Sequence, residues 1–301
     1  MKLFYYILFI FWHLWSLLPF RFLYWISDLL YYPLYYCIRY RRNIVRKNLI
    51  KSFPEKGLKE IISIEKGFYR YFCDYLMETV KLSSMSEKQM RKRMTFGGIE
   101  ELNEVLEKQN CVVYMGHYCN WEWITSLPLH LAKKITASQI YHQLENKTFD
   151  DLFLRIRARF GGVNIEMTHA LRKLLQFEKD KERFVIGFIS DQAPNWNNIN
   201  LWADFLHHDS AIFTGAERIA RKVNAAAYYL EVSRVKRGYY HAEFVKMTES
   251  PNECPNYSIT TDYAHRLEQT IRKNPQYWLW THNRWKRTHE EYLRRMQAEA
   301  Q

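Results

Sequence analysis

The first twenty residues of the chain are almost entirely apolar. Between Lys2 and Arg21 the sequence reads LFYYILFIFWHLWSLLPF, an uncharged stretch of about 18 residues that is just long enough to cross a bilayer as a helix. Bulky residues continue through Tyr36 without a small-residue cleavage site, which favours an uncleaved membrane helix over a signal peptide. A helix buried in the protein core is the alternative.

A second aromatic stretch, residues 22–38, carries Asp28 and Pro33 and is rich in Tyr and Trp. Tyr and Trp side chains favour the headgroup level of a bilayer, so the stretch is predicted to lie at the interface. Residues 39–51 then hold six Arg and Lys side chains and no acid. Such a segment is typical of the cytoplasmic side of an anionic membrane; a merely solvated basic face is the alternative.

The body of the chain changes its periodicity at Gly97 and Gly98. Before them, apolar residues recur every three to four positions over 58–80, which predicts one long amphipathic helix. After them, short β-prone runs alternate with helical stretches, which predicts an α/β domain with a mixed central sheet flanked by helices. The predicted strands are 111–116, 135–141, 184–189, 225–232 and 239–247, and the predicted helices are 147–159, 168–179 and a capped helix from Thr214 to Lys222.

These patterns divide the chain into three regions. Residues 1–38 are the predicted membrane anchor and interfacial segment, 39–96 a basic and helical region, and 97–301 the α/β domain. The chain is 48% hydrophobic and 17% aromatic, which excludes wholesale disorder. Its net charge of +12 indicates an acidic partner, whether nucleic acid, an anionic membrane or an anionic carrier. The five cysteines include no C-x-x-C pair, so neither a zinc site nor a disulfide framework is indicated.

The candidate chemistry lies at the end of the first strand of the predicted α/β domain. The apolar run CVVYMG ends in His117, and Glu122 follows five residues later at the start of a predicted helix. A carboxylate in that position can fold back and accept from one ring nitrogen, leaving the other free as a base. Such a pair could deprotonate a hydroxyl as it attacks an activated acyl group. By itself the H-x4-E spacing is a weak pattern, because a lone histidine is more often structural.

Four motifs in order, MGHYCNWEW, FISDQAPNW, FTGAERIARKVNA and YWLWTHNRWKR, resemble the bacterial late acyltransferases of lipid A biosynthesis. These enzymes belong to the wider lysophospholipid acyltransferase-like superfamily. The resemblance implies a catalytic dyad of His117 and Glu122, an acyl thioester on acyl carrier protein as donor, and a hydroxyl of a lipid A precursor as acceptor. It also implies an inner-membrane protein with its catalytic domain facing the cytoplasm. No metal or organic cofactor is expected, because acid–base chemistry on a preformed thioester requires neither.

The resemblance extends to further candidate residues for substrate binding. Asp191 and Gln192 match a strand-end motif that would line the acceptor site, with a turn role as the alternative. Thr214 and Gly215 match a turn beside the active site, which helix capping would also explain. Arginines of the segment LRIRARFGG could bind phosphates or polarise the thioester carbonyl, and a solvated charge run is the alternative. They are Arg155, Arg157 and Arg159, of which Arg155 and Arg159 would share a helix face.

The C-terminal motif holds three tryptophans, together with His282 and Arg284, and is interpreted as mainly structural. The tryptophans are Trp278, Trp280 and Trp285.

One departure from the family pattern bears on the acceptor. Where the family commonly has Tyr-Arg-Pro-Leu, the sequence reads Tyr141, His142, Gln143 and Leu144, so a titratable residue replaces a permanent cation. A lysophospholipid or an acylated amino acid lipid therefore stays open as acceptor. A hypothesis of another class is a non-catalytic, membrane-anchored basic protein that binds nucleic acid or anionic lipid. It leaves the four ordered motifs unexplained, and nucleic acid is the least expected partner.

Overall fold

The structure is a computed structural model that describes residues 2–299, which form eleven α-helices and nine β-strands. The helices are α1 (Lys2–Leu17), α2 (Phe20–Tyr32), α3 (Arg42–Ser52), α4 (Leu58–Leu82), α5 (Glu87–Arg93), α6 (Ile99–Lys108), α7 (Lys147–Arg157), α8 (Ala170–Lys179), α9 (Gly215–Lys222), α10 (Ser258–Lys273) and α11 (His289–Glu299). The strands are β1 (Met94–Gly97), β2 (Cys111–Met115), β3 (Ile135–Tyr141), β4 (Val163–Glu166), β5 (Arg183–Ile189), β6 (Trp202–Phe205), β7 (His208–Ala211), β8 (Ala226–Lys236) and β9 (Tyr239–Thr248).

Seven of the strands form one mixed sheet in the order β1-β9-β8-β2-β5-β3-β4. The five strands from β8 to β4 run parallel to one another, whereas β9 runs antiparallel to β8 and pairs in parallel with β1. Every residue of β2 is buried, as expected for a central strand covered on both faces. The mixed α/β sheet predicted from the sequence is confirmed.

The first helix is shorter than the predicted membrane helix. Helix α1 ends at Leu17, and α2 begins directly after Pro19, because the proline ring disfavours helical backbone at the residue before it. None of the helices within residues 2–299 has both the length and the apolarity needed to span a bilayer. The predicted spanning segment is therefore corrected to two consecutive helices.

Helix α2 packs against the long helix α4, which the sequence predicted as 58–80. Leu23, Ser27 and Tyr31 form its buried side, and the Ser27 hydroxyl donates to the Asp74 carboxylate of α4 at 2.7 Å. Asp74 also accepts from Arg234 of β8 at 2.8 Å. These contacts connect the N-terminal helices to the sheet through one buried acidic side chain.

All five predicted strands are present, and the sequence missed β1, β4 and the separate β6–β7 hairpin. The missed strands have four residues each, too few to show a hydrophobic period. Helix α9 begins directly after Thr214, as predicted, but the predicted cap is wrong, because no side-chain hydrogen bond caps this helix. Glu217 accepts instead from the Thr260 hydroxyl at 2.7 Å and from its backbone N–H at 2.8 Å.

Candidate active site

His117 and Asp191 lie next to each other at the carboxyl edge of the sheet. His117 follows β2 after Gly116, and Asp191 follows β5 after Ser190. The two strands are parallel neighbours with Met115 opposite Ile189, so the residues two positions beyond each strand end are also brought together. The carboxyl edge of a parallel sheet is where ligands of α/β proteins commonly bind.

The carboxylate of Asp191 contacts His117 through both of its oxygens. Oδ1 lies 2.6 Å from the ring Nδ1, and Oδ2 accepts the His117 backbone N–H at 2.8 Å. Oδ2 also accepts the indole N–H of Trp278 at 2.7 Å. Three contacts on a carboxylate that is only 5% exposed fix its orientation and therefore the plane of the imidazole.

The charge of Asp191 sets the protonation pattern of the ring. Burial alone would raise the pKa of Asp191, but the charge and hydrogen bonds of His117 and the Trp278 N–H outweigh it, so this pKa lies below its ordinary value. An ionised Asp191 can only accept, which places the proton of a neutral imidazole on Nδ1. Nε2 then carries the lone pair, and the Gln192 side-chain nitrogen lies 3.5 Å from it.

The backbone around His117 is held by the C-terminal segment. The His117 carbonyl accepts the Leu279 N–H at 3.1 Å, and the Cys119 N–H donates to the Tyr277 carbonyl at 3.0 Å. Cys119 has a positive φ of 51°, and such a conformation persists when its surroundings constrain it. The C-terminal motif thus positions the loop that presents the histidine.

Trp278 has a role beyond the packing that the sequence predicted. Trp278 and Trp280 are buried with their rings 4.7 Å apart, which agrees with a structural function. The indole N–H of Trp278, however, is one of the three donors to Asp191. Its bond to the carboxylate makes it part of the candidate site.

Glu122 does not pair with His117. Its carboxylate forms a two-pronged ion pair with Arg157 of α7, with 2.8 Å from Nε to Oε2 and 2.6 Å from Nη2 to Oε1. Residues 121–130 form a 3₁₀ helix capped by Asn120, whose side chain accepts the Trp123 N–H. This segment directs Glu122 toward α7, and Asp191, bound to Nδ1, takes the accepting role that the sequence assigned to Glu122.

The three neighbouring arginines have different surroundings. Arg157 binds Glu122, Arg155 packs over the ring of Phe9 with its guanidinium carbon 4.1 Å from the ring centre, and Arg159 donates to the Leu82 carbonyl at 2.9 Å. Arg155 thus contacts α1, and Arg159 contacts the end of α4. The arginine that pairs with Glu122 is Arg157, the one of the three candidates that the sequence placed off the helix face shared by Arg155 and Arg159.

Thr214 and Gly215 lie at the start of α9. Thr214 is buried, and its carbonyl accepts the Arg218 N–H. In the described part of the chain, residues 2–299, no side-chain hydrogen bond connects Thr214 to His117 or Asp191. Their predicted role in substrate binding stays a prediction.

Beyond β3 and β4 the same edge of the sheet holds an open depression of about 440 Å³. Its lining carries both signs of charge, from Glu145, Lys147 and Glu166, and includes His142. His142 is exposed, with Nδ1 bonded to the Gln143 carbonyl at 2.9 Å. The segment at His142 and Gln143, where the sequence differs from the family pattern, therefore lies on a surface of mixed charge.

The sequence did contain a signal for the pairing of His117 with Asp191. Both follow predicted β runs, 111–116 and 184–189, and the carboxyl ends of neighbouring parallel strands meet. What the sequence does not give is the strand order, which makes β2 and β5 neighbours. Trp278 could not be found in this way, because it lies 87 positions from Asp191 in an irregular segment.

The arrangement suits proton abstraction from a bound hydroxyl. An imidazole with one nitrogen held by an ionised carboxylate and the other facing outward is the geometry of a general base. The His117 side chain is 18% exposed, so the imidazole is not closed off from solvent. The Trp121 ring stands edge-on to the imidazole at 5.1 Å and limits its rotation.

Comparison with known proteins identifies the family of this chain. A family model described as bacterial lipid A biosynthesis acyltransferase matches residues 1–287. A search of curated proteins found no match. The match covers nearly all of the chain, including His117, Asp191 and the C-terminal motif.

Proposed function

Because the chain belongs to the bacterial lipid A biosynthesis acyltransferases, we propose that it transfers a fatty acyl chain from acyl carrier protein to a hydroxyl of a lipid A precursor, with His117 as general base. The observation that carries this proposal is the contact of 2.6 Å between His117 Nδ1 and Asp191 Oδ1, which leaves Nε2 available. The family gives acyl transfer, and the geometry supplies the residue that would activate the acceptor.

The reaction proceeds through these residues as follows. His117 Nε2 takes the proton of the acceptor hydroxyl while its oxygen attacks the carbonyl carbon of the thioester. The imidazolium that forms is stabilised by the Asp191 carboxylate. The tetrahedral oxyanion then collapses, the carbon–sulfur bond breaks, and the departing thiolate takes the proton back from Nε2. An ester and the free thiol of the carrier are the products.

Gln192 is the side chain best placed to assist this reaction. Its amide nitrogen lies 3.5 Å from Nε2, beside the position that the attacking oxygen must occupy. An amide donor there can bind the acceptor or the developing oxyanion. The Arg157–Glu122 pair contributes by fixing the 3₁₀ helix that follows the catalytic loop, because its two parallel bonds lock both side chains.

The charge of the protein supports an acidic donor. The net charge of +12 attracts an acidic carrier protein and accelerates its encounter at low salt. The same excess suits a phosphorylated lipid acceptor, although the lining of the depression at His142 has mixed charge. The acceptor is therefore the part of the proposal that an assay must decide.

The assay supplies purified protein with acyl carrier protein bearing a fatty acid and one of three acceptors. These are a lipid A precursor, a lysophospholipid and an amino acid lipid with a free hydroxyl. We expect mass spectrometry to find one added acyl chain, removable by mild alkali, on the lipid A precursor, and none when the thioester is omitted. Acylation of only the lysophospholipid or the amino acid lipid would change the acceptor, and acylation of none would overturn the proposed function.

We further propose that the protein binds the inner leaflet of the cell inner membrane with its catalytic domain on the cytoplasmic side, and that α1 and α2 lie in the plane of the interface. One side of each helix is exposed although its residues are large and apolar, and the exposed fractions are 48–61%. The residues of this α1–α2 apolar face are Ile10, Leu14, Leu17, Phe22, Trp25, Leu29 and Tyr32. Their spacing of three or four positions within each helix is that of an interfacial amphipathic helix.

Basic side chains follow the apolar face directly. Arg39, Arg41, Lys47 and Lys51 are exposed, and cations beside an apolar face favour anionic lipid. An apolar face with cations directly beside it supports an anionic lipid surface as the occupant. The basic segment was already predicted to meet anionic lipid.

Replacing Trp25 and Leu29 with glutamate is expected to weaken binding to vesicles containing anionic phospholipid by tenfold or more, because each side chain contributes roughly 1.5–3 kcal/mol on burial. Vesicle co-sedimentation measures the effect. Leu293→Glu is the matched control, since Leu293 is 51% exposed on α11, outside the apolar face. Binding of the double variant that equals wild type would refute the docking proposal while leaving acyl transfer untouched.

A further inference from the structure

Arg284 is buried close to the candidate site, and the reaction described above does not use it. Its side chain is 2% exposed. One guanidinium nitrogen donates to the Ala211 carbonyl at 2.6 Å, and the guanidinium carbon lies 5.9 Å from the ring centre of Phe205. Its Nε has no hydrogen-bond partner among the residues that the structure describes. A permanently charged group in such a place is costly unless its charge is balanced.

The group that can balance it is Asp191. Arg284 and Asp191 line the same small cavity, together with Ser190 and Tyr263. The cavity measures about 10 Å³, close to the space of one water molecule. Opposite charges on two walls of such a cavity attract each other strongly, since little solvent screens them.

Three other ionisable neighbours of Asp191, namely His282, Tyr263 and Tyr229, are uncharged at the pH at which His117 would act as a base. Burial lowers the pKa of His282 to about 4, so this neighbour is neutral at physiological pH. Burial likewise raises the pKa of Tyr263 on α10 and of Tyr229 on β8 above the ordinary value, so both remain protonated.

Arg284 keeps its charge in the same surroundings. Burial lowers its pKa to about 10, against the opposing effect of Asp191, which leaves the guanidinium protonated near neutral pH. With His117 neutral, Arg284 is a buried cation on the same cavity as the Asp191 carboxylate, and the two charges interact. The donors in direct contact, the Trp278 indole and the His117 backbone, are uncharged.

We propose that Arg284 is a positioning residue of the site: its buried charge balances that of Asp191, keeping the carboxylate ionised while His117 is neutral and favouring the base form of His117. It acts through Asp191 and does not touch the substrate. This inference rests on the proposed function of His117 as a base, but the charge coupling itself can be measured without turnover.

The sign of the effect follows from electrostatics. A positive charge near the His117–Asp191 pair disfavours a second positive charge on the imidazole. Removing it makes His117 easier to protonate, so the base form appears only at higher pH. The acid limb of the rate profile should then move upward by about one pH unit, which is a tenfold change in proton concentration.

The variants are Arg284→Gln, which removes the charge and keeps a donor for the Ala211 carbonyl, and Arg284→Lys, which keeps the charge. Arg93→Gln is the matched control, because Arg93 also donates to a backbone carbonyl, that of Gly238 at 2.9 Å, and its guanidinium also lies over an aromatic ring, that of Phe20. Thermal unfolding of each full-length protein reports any loss of stability.

The decisive measurement is the NMR titration of the His117 ring in the full-length protein, assigned by its absence in His117→Ala. We expect the midpoint to rise by about one pH unit in Arg284→Gln and to stay near wild type in Arg284→Lys and Arg93→Gln. The acid limb of kcat/KM should shift in parallel. An unchanged midpoint in folded Arg284→Gln would overturn the proposal and leave only a structural role. A shifted midpoint in a protein that transfers no acyl chain would instead refute the proposed function alone.

Discussion

Replacing Arg157 with methionine is expected to lower the free energy of unfolding by about 3–5 kcal/mol, because it leaves the Glu122 carboxylate buried without its counter-charge. Glu122 is only 2% exposed, and Arg157 supplies both of its ion-pair contacts. The size of the effect reflects the stranded charge more than the strength of the pair. Urea unfolding followed by circular dichroism gives the value.

Arg155→Met is the control variant, which separates the loss of the ion pair from the loss of an arginine on this helix. Arg155 is two positions earlier on the same helix, exposed, and stacked on Phe9, so its loss should cost less than about 1 kcal/mol. Glu122→Gln should be milder than Arg157→Met, since an amide can still accept from the guanidinium. Equal stabilities of Arg155→Met and Arg157→Met would show that the Arg157–Glu122 pair is not stabilising the fold.

This ion pair changes how a Glu122 variant should be understood. The H-x4-E spacing predicts that Glu122 orients the histidine, and loss of activity in Glu122→Ala would agree with that prediction. The structure gives a different reason for such a loss, because Glu122→Ala removes the partner of Arg157 beside the catalytic loop. A variant that keeps the fold, Glu122→Gln, separates the two explanations.

Local pattern was sufficient to predict much of this fold from the sequence. The long helix at 58–80 and the five strands that build the centre of the sheet are each encoded by their own period and composition. The fully buried β2 is an uninterrupted apolar run, and His117 follows it directly. The histidine was therefore identified without knowledge of the tertiary structure.

The sequence predicted Glu122 as the partner of His117, whereas the structure has Asp191, because only tertiary structure brings Asp191 to the ring. Glu122 is near His117 in sequence, whereas Asp191 becomes near only when β5 pairs with β2. The same holds for Trp278 and Arg284, which arrive from an irregular C-terminal segment. Asp191 was selected as a lining residue, and its contact with Nδ1 required the strand order. At the N-terminus, the apolar stretch predicted one helix of about 18 residues. The structure has two helices there, because Pro19 separates α1 from α2.

The central claim is that His117, oriented by Asp191, activates the acceptor hydroxyl. His117→Ala removes the base and is expected to lower the rate of acyl transfer by about three to four orders of magnitude, the upper range of what a positioned base contributes. Asp191→Asn should have an effect of similar order, because an amide that donates to Nδ1 leaves the proton of the neutral ring on Nε2. Glu122→Gln should stay within about tenfold of wild type, since that carboxylate does not reach the ring.

One measurement tests this claim most directly: the single-turnover rate of ester formation by folded His117→Ala, compared with wild type, Asp191→Asn and Glu122→Gln at saturating donor and acceptor. The account predicts that His117→Ala and Asp191→Asn both lose about a thousandfold or more, while Glu122→Gln keeps most of its rate. Turnover at the wild-type rate in folded His117→Ala would contradict it.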